Sequence, residues 1–300
     1  MKVVLFCGGL GTRLREYSDT IPKPMVGIGP RPIIWHVMKY YAYYGHTDFI
    51  LCLGYRGDMI KNYFLNYDEC LSNDFVLSKG GKDVRLYGRD IADWTITFAD
   101  TGQQSNIGQR LKAVERYLDG EETFLANYSD GLSDLPLDRY LDDYLKSGKV
   151  GAVVCVKPNQ SFHLVSLAED GSVEDIRSIT DTKQWVNGGF FAFKREIFDY
   201  IRDGEELVQE PFQRLVKDGQ LMAYRHEGFW ACMDTLKDKQ MFDDMHARGR
   251  RPWEVWSGAG AKPVLTEAHG RETRAASVRR GEQVVGEPWV ESGAAGRAED

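Results

Sequence analysis

Six residues near the start of the chain, Gly8-Gly9-Leu10-Gly11-Thr12-Arg13, directly follow the apolar run 3–7. Glycines there let the backbone approach a ligand closely and adopt positive φ. Successive free amides form an anion-binding nest. Arg13 adds a guanidinium whose planar fork suits phosphate oxygens. The spacing is neither that of a Walker loop nor that of the dinucleotide fingerprint, and the glycines alone would equally serve a tight turn. A second motif, Ile21-Pro22-Lys23-Pro24-Met25, holds one lysine between two prolines. The stiffened backbone makes that lysine a positioned point charge. A lone lysine in a proline turn is ordinarily solvated. Ten residues beyond Arg13, this one reads as the second jaw of a triphosphate clamp.

Positioning these groups requires a strand whose carboxyl end opens into the glycine loop. The first half of the chain alternates strand-like and helix-like segments. Residues 3–7, 49–53, 95–99, 123–127 and 151–156 read as strands, the first two as apolar runs buried on both faces. Residues 33–44, opened by Pro32 and ended by Gly45, read as a helix, as do 58–67, 109–118 and 137–146. Alternation of this kind implies βαβ units and a mainly parallel sheet, whose ligands bind beyond the carboxyl ends of the strands. The glycine loop and a polar turn at residues 128–134 both fall at such ends. From Leu164 the pattern shifts to shorter strands with turns, Asp170-Gly171 among them. Strands are expected at 188–193 and 221–225, and helices at 195–201, 207–217 and 235–248. After Trp256 the hydrophobic periodicity stops, and residues 257–300, rich in Gly, Ala, Glu and Arg, read as a disordered tail.

The 300 residues are 42% hydrophobic and 28% charged, the composition of a globular chain rather than a fibrous or disordered one. A net charge of −7 argues against nucleic acid as a partner. No run approaches the ~18 apolar residues of a membrane span, and MKVVLFCGG lacks the length and cleavage site of a signal peptide. The five scattered cysteines have no metal-ligand spacing and read as reduced thiols, which fits a cytoplasmic protein.

The motifs GGLGTRL, PKPMV, PIIWHVMKYY and DFILCLGYRG, in that order, resemble the sugar-1-phosphate nucleotidyltransferase family, and within it most closely the glucose-1-phosphate cytidylyltransferases. Trp94, Asp100-Thr101-Gly102, Arg110-Leu111-Lys112, Asp130-Gly131, the Asn187–Phe191 stretch NGGFF, Gly228-Phe229-Trp230 and Met233-Asp234-Thr235 extend the resemblance, colinearly, over residues 1–256. The resemblance implies a Rossmann-like, mainly parallel mixed α/β sheet covered by helices. Residues 1–156 form its nucleotide-binding part, and residues 157–256 a smaller, β-rich acceptor-binding part. It implies a reaction in which the phosphate of a sugar 1-phosphate attacks the α-phosphorus of a nucleoside triphosphate and pyrophosphate leaves. CTP and glucose 1-phosphate, giving CDP-glucose, are the implied substrates. By motif match, Gly8, Gly9, Gly11, Thr12, Arg13, Lys23, Gly108 and Arg110 hold the nucleotide, with Arg13 and Lys23 catalytic. Asp130 and Asp234 hold Mg2+, and His163, Asn187, Gly188 and Glu210 face the acceptor. A homo-oligomer is implied as well.

The acceptor half departs from the family pattern. Phe162-His163-Leu164-Val165 stands where relatives carry a Phe-Gly-Ala-Leu-like strand, and residues 177–182 (RSITDT) replace a Glu-Lys-Pro motif whose lysine contacts the sugar phosphate. Lys183 or Arg177 are candidates to restore that cation. These departures leave open another phosphorylated sugar, a cyclitol or a phosphonate as acceptor, another nucleotide, or a non-catalytic nucleotide-binding protein. His163 reads either as a satisfied polar residue or as a donor to the acceptor. Gln109 points either at the base or away from it. Trp230 and Phe190 read as core or as sugar platforms, and Ser129 stands where the family often has glycine. Lys23→Ala is expected to reduce turnover greatly with little loss of fold.

Overall fold

The computed structural model describes residues 1–9, 21–158, 162–258 and 266–267. Its centre is a seven-stranded sheet. In chain order the strands are β1 (Val3–Phe6), β2 (Asp48–Leu53), β3 (Thr95–Asp100), β4 (Thr123–Asn127), β5 (Gly151–Val156), β6 (Val186–Lys194) and β7 (Leu221–His226). The spatial order is β7-β5-β6-β4-β1-β2-β3. Pairing is parallel between β1 and β2, β2 and β3, β1 and β4, and β5 and β7. Only β6 runs antiparallel to its neighbours, β4 and β5. The chain leaves β1 toward β2 on one side and returns as β4 on the other. The carboxyl ends of β1 and β4 therefore flank the point where strand order reverses, the place where sheets of this kind bind ligands. Because β6 is reversed, its amino end (Val186, Asn187, Gly188) reaches the same edge.

Both faces of the sheet are covered, which is why its strands read as continuous apolar runs. Val3, Leu5, Phe49, Leu51, Val154 and Phe190 pack under α1 (Ile33–Tyr43) and α4 (Leu137–Ser147). Val4, Phe6, Ile50, Phe124, Phe191 and Phe193 pack against Leu111 of α3 (Ile107–Ala113) and Leu215 of α5 (Glu210–Lys217). The remaining helices are α2 (Gly57–Leu65) and α6 (Leu236–Ala247). The expected helix at 109–118 begins two residues earlier and gives way after Ala113 to a 3-10 turn, Glu115–Leu118. Residues 195–201 likewise form a 3-10 turn, Arg195–Tyr200.

Two features were not read from the sequence. Phe75–Ser78 and Asp83–Leu86 form a hairpin, and Thr266–Glu267 adds a third strand by pairing with Leu86 and Arg85, inside the segment expected to be a tail. The chain around this hairpin is tied to α1 by buried Arg31, which donates to Ser72 Oγ and the Asp68 carbonyl at 2.8 Å each and faces Asp90 at 3.4 Å. Among the described residues, no helix is long and apolar enough to cross a membrane. All five cysteines are free thiols, with Cys7 and Cys52 buried.

Behind the site edge lies a buried guanidinium. Arg110, 2% exposed, donates from Nη1 to Thr101 Oγ1 (2.8 Å), the Gly102 carbonyl (2.9 Å) and the Leu53 carbonyl (3.2 Å). From Nη2 it donates to the Gly8 carbonyl (2.9 Å) and more distantly to Gln103. One side chain thus ties together the loops that follow β1, β2 and β3. Gly8 and Gly54 make room for it: a Cβ on Gly8 would lie 2.0 Å from Arg110 Nη1, and one on Gly54 would lie 2.9 Å from it. Arg110→Met removes the donor to the buried Gly8 carbonyl and the links to Gly102 and Gln103, while the Leu53 carbonyl keeps the Thr101 amide and hydroxyl, and should lower unfolding free energy by about 1–3 kcal/mol. Urea denaturation reads this, and Arg110→Lys, which lacks the fork, should restore only part of it.

Candidate active site

Lys23 begins a 3-10 turn, Lys23–Met25, entered through Pro22 in extended conformation (φ −69°, ψ 147°) and continued by buried Pro24. Its ammonium donates to Asp130 Oδ2 and Asp234 Oδ1, each at 2.5 Å. The two carboxylate oxygens, both 2.5 Å from one nitrogen, therefore lie no more than 5 Å apart. A two-stranded ribbon brings the aspartates together across 104 positions of sequence. Trp230–Cys232 pairs antiparallel with Gly131–Ser133 so that Cys232 faces Gly131, and the Met233 amide donates to the Asp130 carbonyl at 2.9 Å. Asp130 directly precedes one strand and Asp234 closely follows the other, so the register alone places them side by side. Thr235 then caps α6 in a reciprocal box with Asp238, fixing the chain beyond Asp234.

The electrostatics of this trio are mutual. Burial works against the Lys23 charge, but Asp130 and Asp234 outweigh it and hold its pKa above the ordinary lysine value. Burial raises Asp130 above the usual carboxylate range even though Lys23 pulls it down. Two carboxylates this close repel unless a cation stands between them.

Asp130 is aimed by a strained backbone. Ser129 has φ +64°, the left-handed region where glycine is favoured, and is 1% exposed. Its amide donates to Asn127 Oδ1 at 2.8 Å and its hydroxyl to the Phe6 carbonyl at 2.7 Å. The second bond ties the turn after β4 to the end of β1. The serine replaces the expected glycine and offsets its conformational strain with that bond. Beneath it, burial pushes the Cys7 thiol up to about 12, so it stays protonated at the floor of the site.

Two adjoining cavities meet at the carboxylates. One, of about 290 Å3, is lined by Gly9, Lys23, Pro24 and Ile107. The other, of about 320 Å3, is lined by Asn187, Gly188, Trp230 and Cys232. Tyr128, Asp130 and Asp234 belong to both. Asn187 donates to the Tyr128 hydroxyl at 3.1 Å and accepts from the Gly189 amide at 2.8 Å. Gly189 itself is at φ +76°, and a Cβ there would press to 2.6 Å from the Tyr128 ring.

The expected site residues thus divide. Gly8, Gly9, Lys23, Asp130, Asp234, Asn187 and Gly188 converge on one edge of the sheet. Gly11, Thr12 and Arg13 lie outside the described residues. Arg110 does not face either cavity: its donors are spent on the loop carbonyls behind it. Gly108 is a packing residue, since a Cβ there would lie 2.3 Å from the Glu205 carbonyl. Gln109 turns back to the cap of α3, accepting from the Asn106 amide at 2.9 Å while Asn106 accepts from its own amide. Its side chain lines neither cavity, and Ile107, two residues earlier, lines the first. His163 is exposed at the start of a hairpin, His163–Leu167 with Val173–Ser178, and lines neither cavity. Glu210 opens α5 at the surface and also lies outside both. Phe190 is core at 2% exposure, whereas Trp230 lines the second cavity and donates to the Gly188 carbonyl at 2.8 Å. Sequence reasoning missed Tyr128 and Ile107, because an aromatic after a strand and an apolar helix start look like ordinary core.

Similarity to known proteins agrees with this geometry. The nucleotidyl transferase family model matches residues 2–272. A probable glucose-1-phosphate cytidylyltransferase of Bacillus subtilis (strain 168) is 39% identical over 258 residues, spanning 85% of this chain and 100% of that protein. The glucose-1-phosphate cytidylyltransferase of Salmonella typhi is 38% identical over 261 residues, with the same coverage. Among solved structures, a UDP-glucose pyrophosphorylase complexed with UDP-glucose superposes with TM-score 0.61 at 17% identity, covering 83% of this chain and 99% of that one. The last likeness speaks for the fold.

Replacing Ser129 separates its two effects. Ser129→Ala keeps the strained φ and loses the hydroxyl bond, and should cost about 1 kcal/mol. Ser129→Gly loses the bond but relaxes the backbone, and should lie between Ala and the parent chain in thermal unfolding.

Proposed function

The chain belongs to the nucleotidyl transferase family, and from that premise we propose that it transfers a nucleotidyl group from CTP to glucose 1-phosphate, releasing pyrophosphate and CDP-glucose. The observation that carries this reading is the Lys23–Asp130–Asp234 trio at the junction of two cavities. The cavity beside Gly9 and Ile107 takes the nucleotide, and the one beside Asn187 and Trp230 takes the sugar phosphate. Reacting phosphates then meet where the cavities join. An acceptor oxygen bonds to the α-phosphorus as the bond to the β-phosphate oxygen breaks. Such a transfer needs positioning and charge neutralisation more than covalent help.

The donor set suits Mg2+, a hard cation usually held by one or two carboxylates together with substrate phosphates and water. Asp130 and Asp234 would hold it, and its chemistry would be to offset the charge of the phosphates. In the substrate-free chain the Lys23 ammonium stands in for that charge. When substrates enter, Lys23 is free to turn from the carboxylates to the triphosphate, while Gly9 offers backbone that a phosphate can approach. Arg13 completes the clamp from the sequence side. The apolar residues exposed on the hairpin, Val165, Leu167, Val173 and Ile176, support a homo-oligomeric assembly that covers them.

Pyrophosphate release in the presence of Mg2+, across four nucleoside triphosphates and a panel of phosphorylated acceptors, tests the reading. Release should be greatest with CTP and glucose 1-phosphate. A different best acceptor would revise the substrate, and CTP binding with no release from any acceptor would overturn the reaction. Lys23→Ala should lower kcat by at least about 10^2-fold. Because ammonium and metal compete for one gap, the same variant should bind Mg2+ more tightly than the parent chain when nucleotide is absent. It should also be less stable in metal-free buffer and regain stability as Mg2+ is added. Calorimetry and thermal unfolding read both.

A further inference from the structure

The charged side chains of the second cavity are the carboxylates Asp130 and Asp234, and Lys23 is already engaged with both. Mg2+ and Lys23 are assigned to the nucleotide phosphates, and the described lining of the second cavity contains no Lys, Arg or His, so a dianionic phosphate entering from the acceptor side gains from positive charge at the rim. Arg177 does not supply it: its Nε is paired with Asp175 at 2.7 Å on the exposed hairpin. Lys183 is exposed.

A different cationic group lies one residue beyond the lining of that cavity. Lys157 directly follows β5, and Trp185 directly precedes β6, where Val156 pairs with Val186, a lining residue of the second cavity. The Lys157 ammonium lies 4.4 Å from the centre of the Trp185 ring. The Arg225 guanidinium, from β7, lies 5.7 Å from the same ring. Register continues the line into the site: Arg225 pairs with Cys155, Cys155 pairs with Asn187, and Asn187 donates to Tyr128, which lines both cavities. Among the described residues neither cation is in an ion pair. Lys157 donates once, at 3.4 Å, to the Thr182 carbonyl. An ammonium has three donors and a guanidinium five, so most of this capacity remains for a ligand. The indole attracts both cations through its π face while leaving their N–H groups open. β5 lies two strand spacings from β4 and β7 three, about 10 and 14 Å, so the group flanks the carboxylate pair on the acceptor side.

We propose that Lys157 and Arg225, backed by Trp185, form the subsite that binds the phosphate of the sugar-phosphate acceptor, in place of the lysine that the altered 177–182 segment lacks. This rests on the reading of the site as a sugar-phosphate nucleotidyltransferase. Both cations are partly solvated, so their pull on the phosphate is screened by salt, over a Debye length of about 8 Å at physiological ionic strength.

The test uses Lys157→Gln, Arg225→Gln and the double variant of the full chain. With glucose 1-phosphate as acceptor, the double variant should raise acceptor KM about tenfold, with the KM for CTP and the thermal midpoint unchanged. The increase of acceptor KM with ionic strength should flatten, and Lys157→Arg should retain most of the parent behaviour. An acceptor KM in the double variant within about twofold of the parent overturns the subsite while leaving the reaction standing. If the parent chain releases no pyrophosphate with glucose 1-phosphate, the functional reading fails instead. Calorimetric binding of inorganic phosphate then decides the subsite separately: binding lost in the double variant supports it, and equal or absent binding in both proteins overturns it.

Discussion

Two aspartates held within 5 Å of each other repel, and much of the architecture at this edge of the sheet answers that repulsion. A cation between them relieves that repulsion. Lys23 provides it from a turn stiffened on both sides by proline, so the charge arrives on a backbone with little freedom to withdraw. The arrangement is costly in isolation: burial lifts the Asp130 pKa and opposes the Lys23 charge. It persists because a ribbon pairing, a strained serine and a helix cap fix the geometry independently of the charges. A site built this way is already shaped for a divalent cation before one arrives.

Arg110 makes a second demand of the same kind. Its guanidinium is buried behind the loops rather than presented to a ligand, and it must satisfy carbonyls from the ends of three strands at once. The glycines at positions 8 and 54 follow from that, since a Cβ at either would collide with the guanidinium. A glycine-rich loop therefore answers two constraints here, one from behind and one from the cavity. Gly9, with open space where a Cβ would stand, faces the cavity. Gly8 faces the strut.

The sheet was legible because strands covered on both faces are continuously apolar, and because helices between them carry a clear 3.6-residue period. Lys23 was legible because a lysine between prolines is an unusual local pattern. Asp130 and Asp234 were not legible as a pair from the residues themselves: their proximity is a property of the ribbon between Gly131–Ser133 and Trp230–Cys232, and only the family resemblance joined them. Arg110 was expected at the nucleotide and the direction of Gln109 was left open, because a motif position does not tell which way a side chain points. The first turned inward to loop carbonyls, and the second turned back to cap its own helix. His163 and Glu210 were placed at the acceptor by alignment with a pattern this chain does not keep, and both stand at the surface.

The departures cluster on one side. The nucleotide edge keeps its strand ends, its turn and its paired carboxylates, all set by the central sheet. The proposed acceptor edge draws on residues 162–185, which carry little of the core and so are free to change without cost to the fold. A hairpin with five exposed residues in its first strand replaces the expected sugar-facing segment. In the proposed subsite the compensating cations come from the residue that follows β5 and from β7, both beside one indole. On that reading the phosphate contact moves from a connecting segment to residues set by β5 and β7, so the segment that faces the acceptor changes without removing the charge that a phosphate requires.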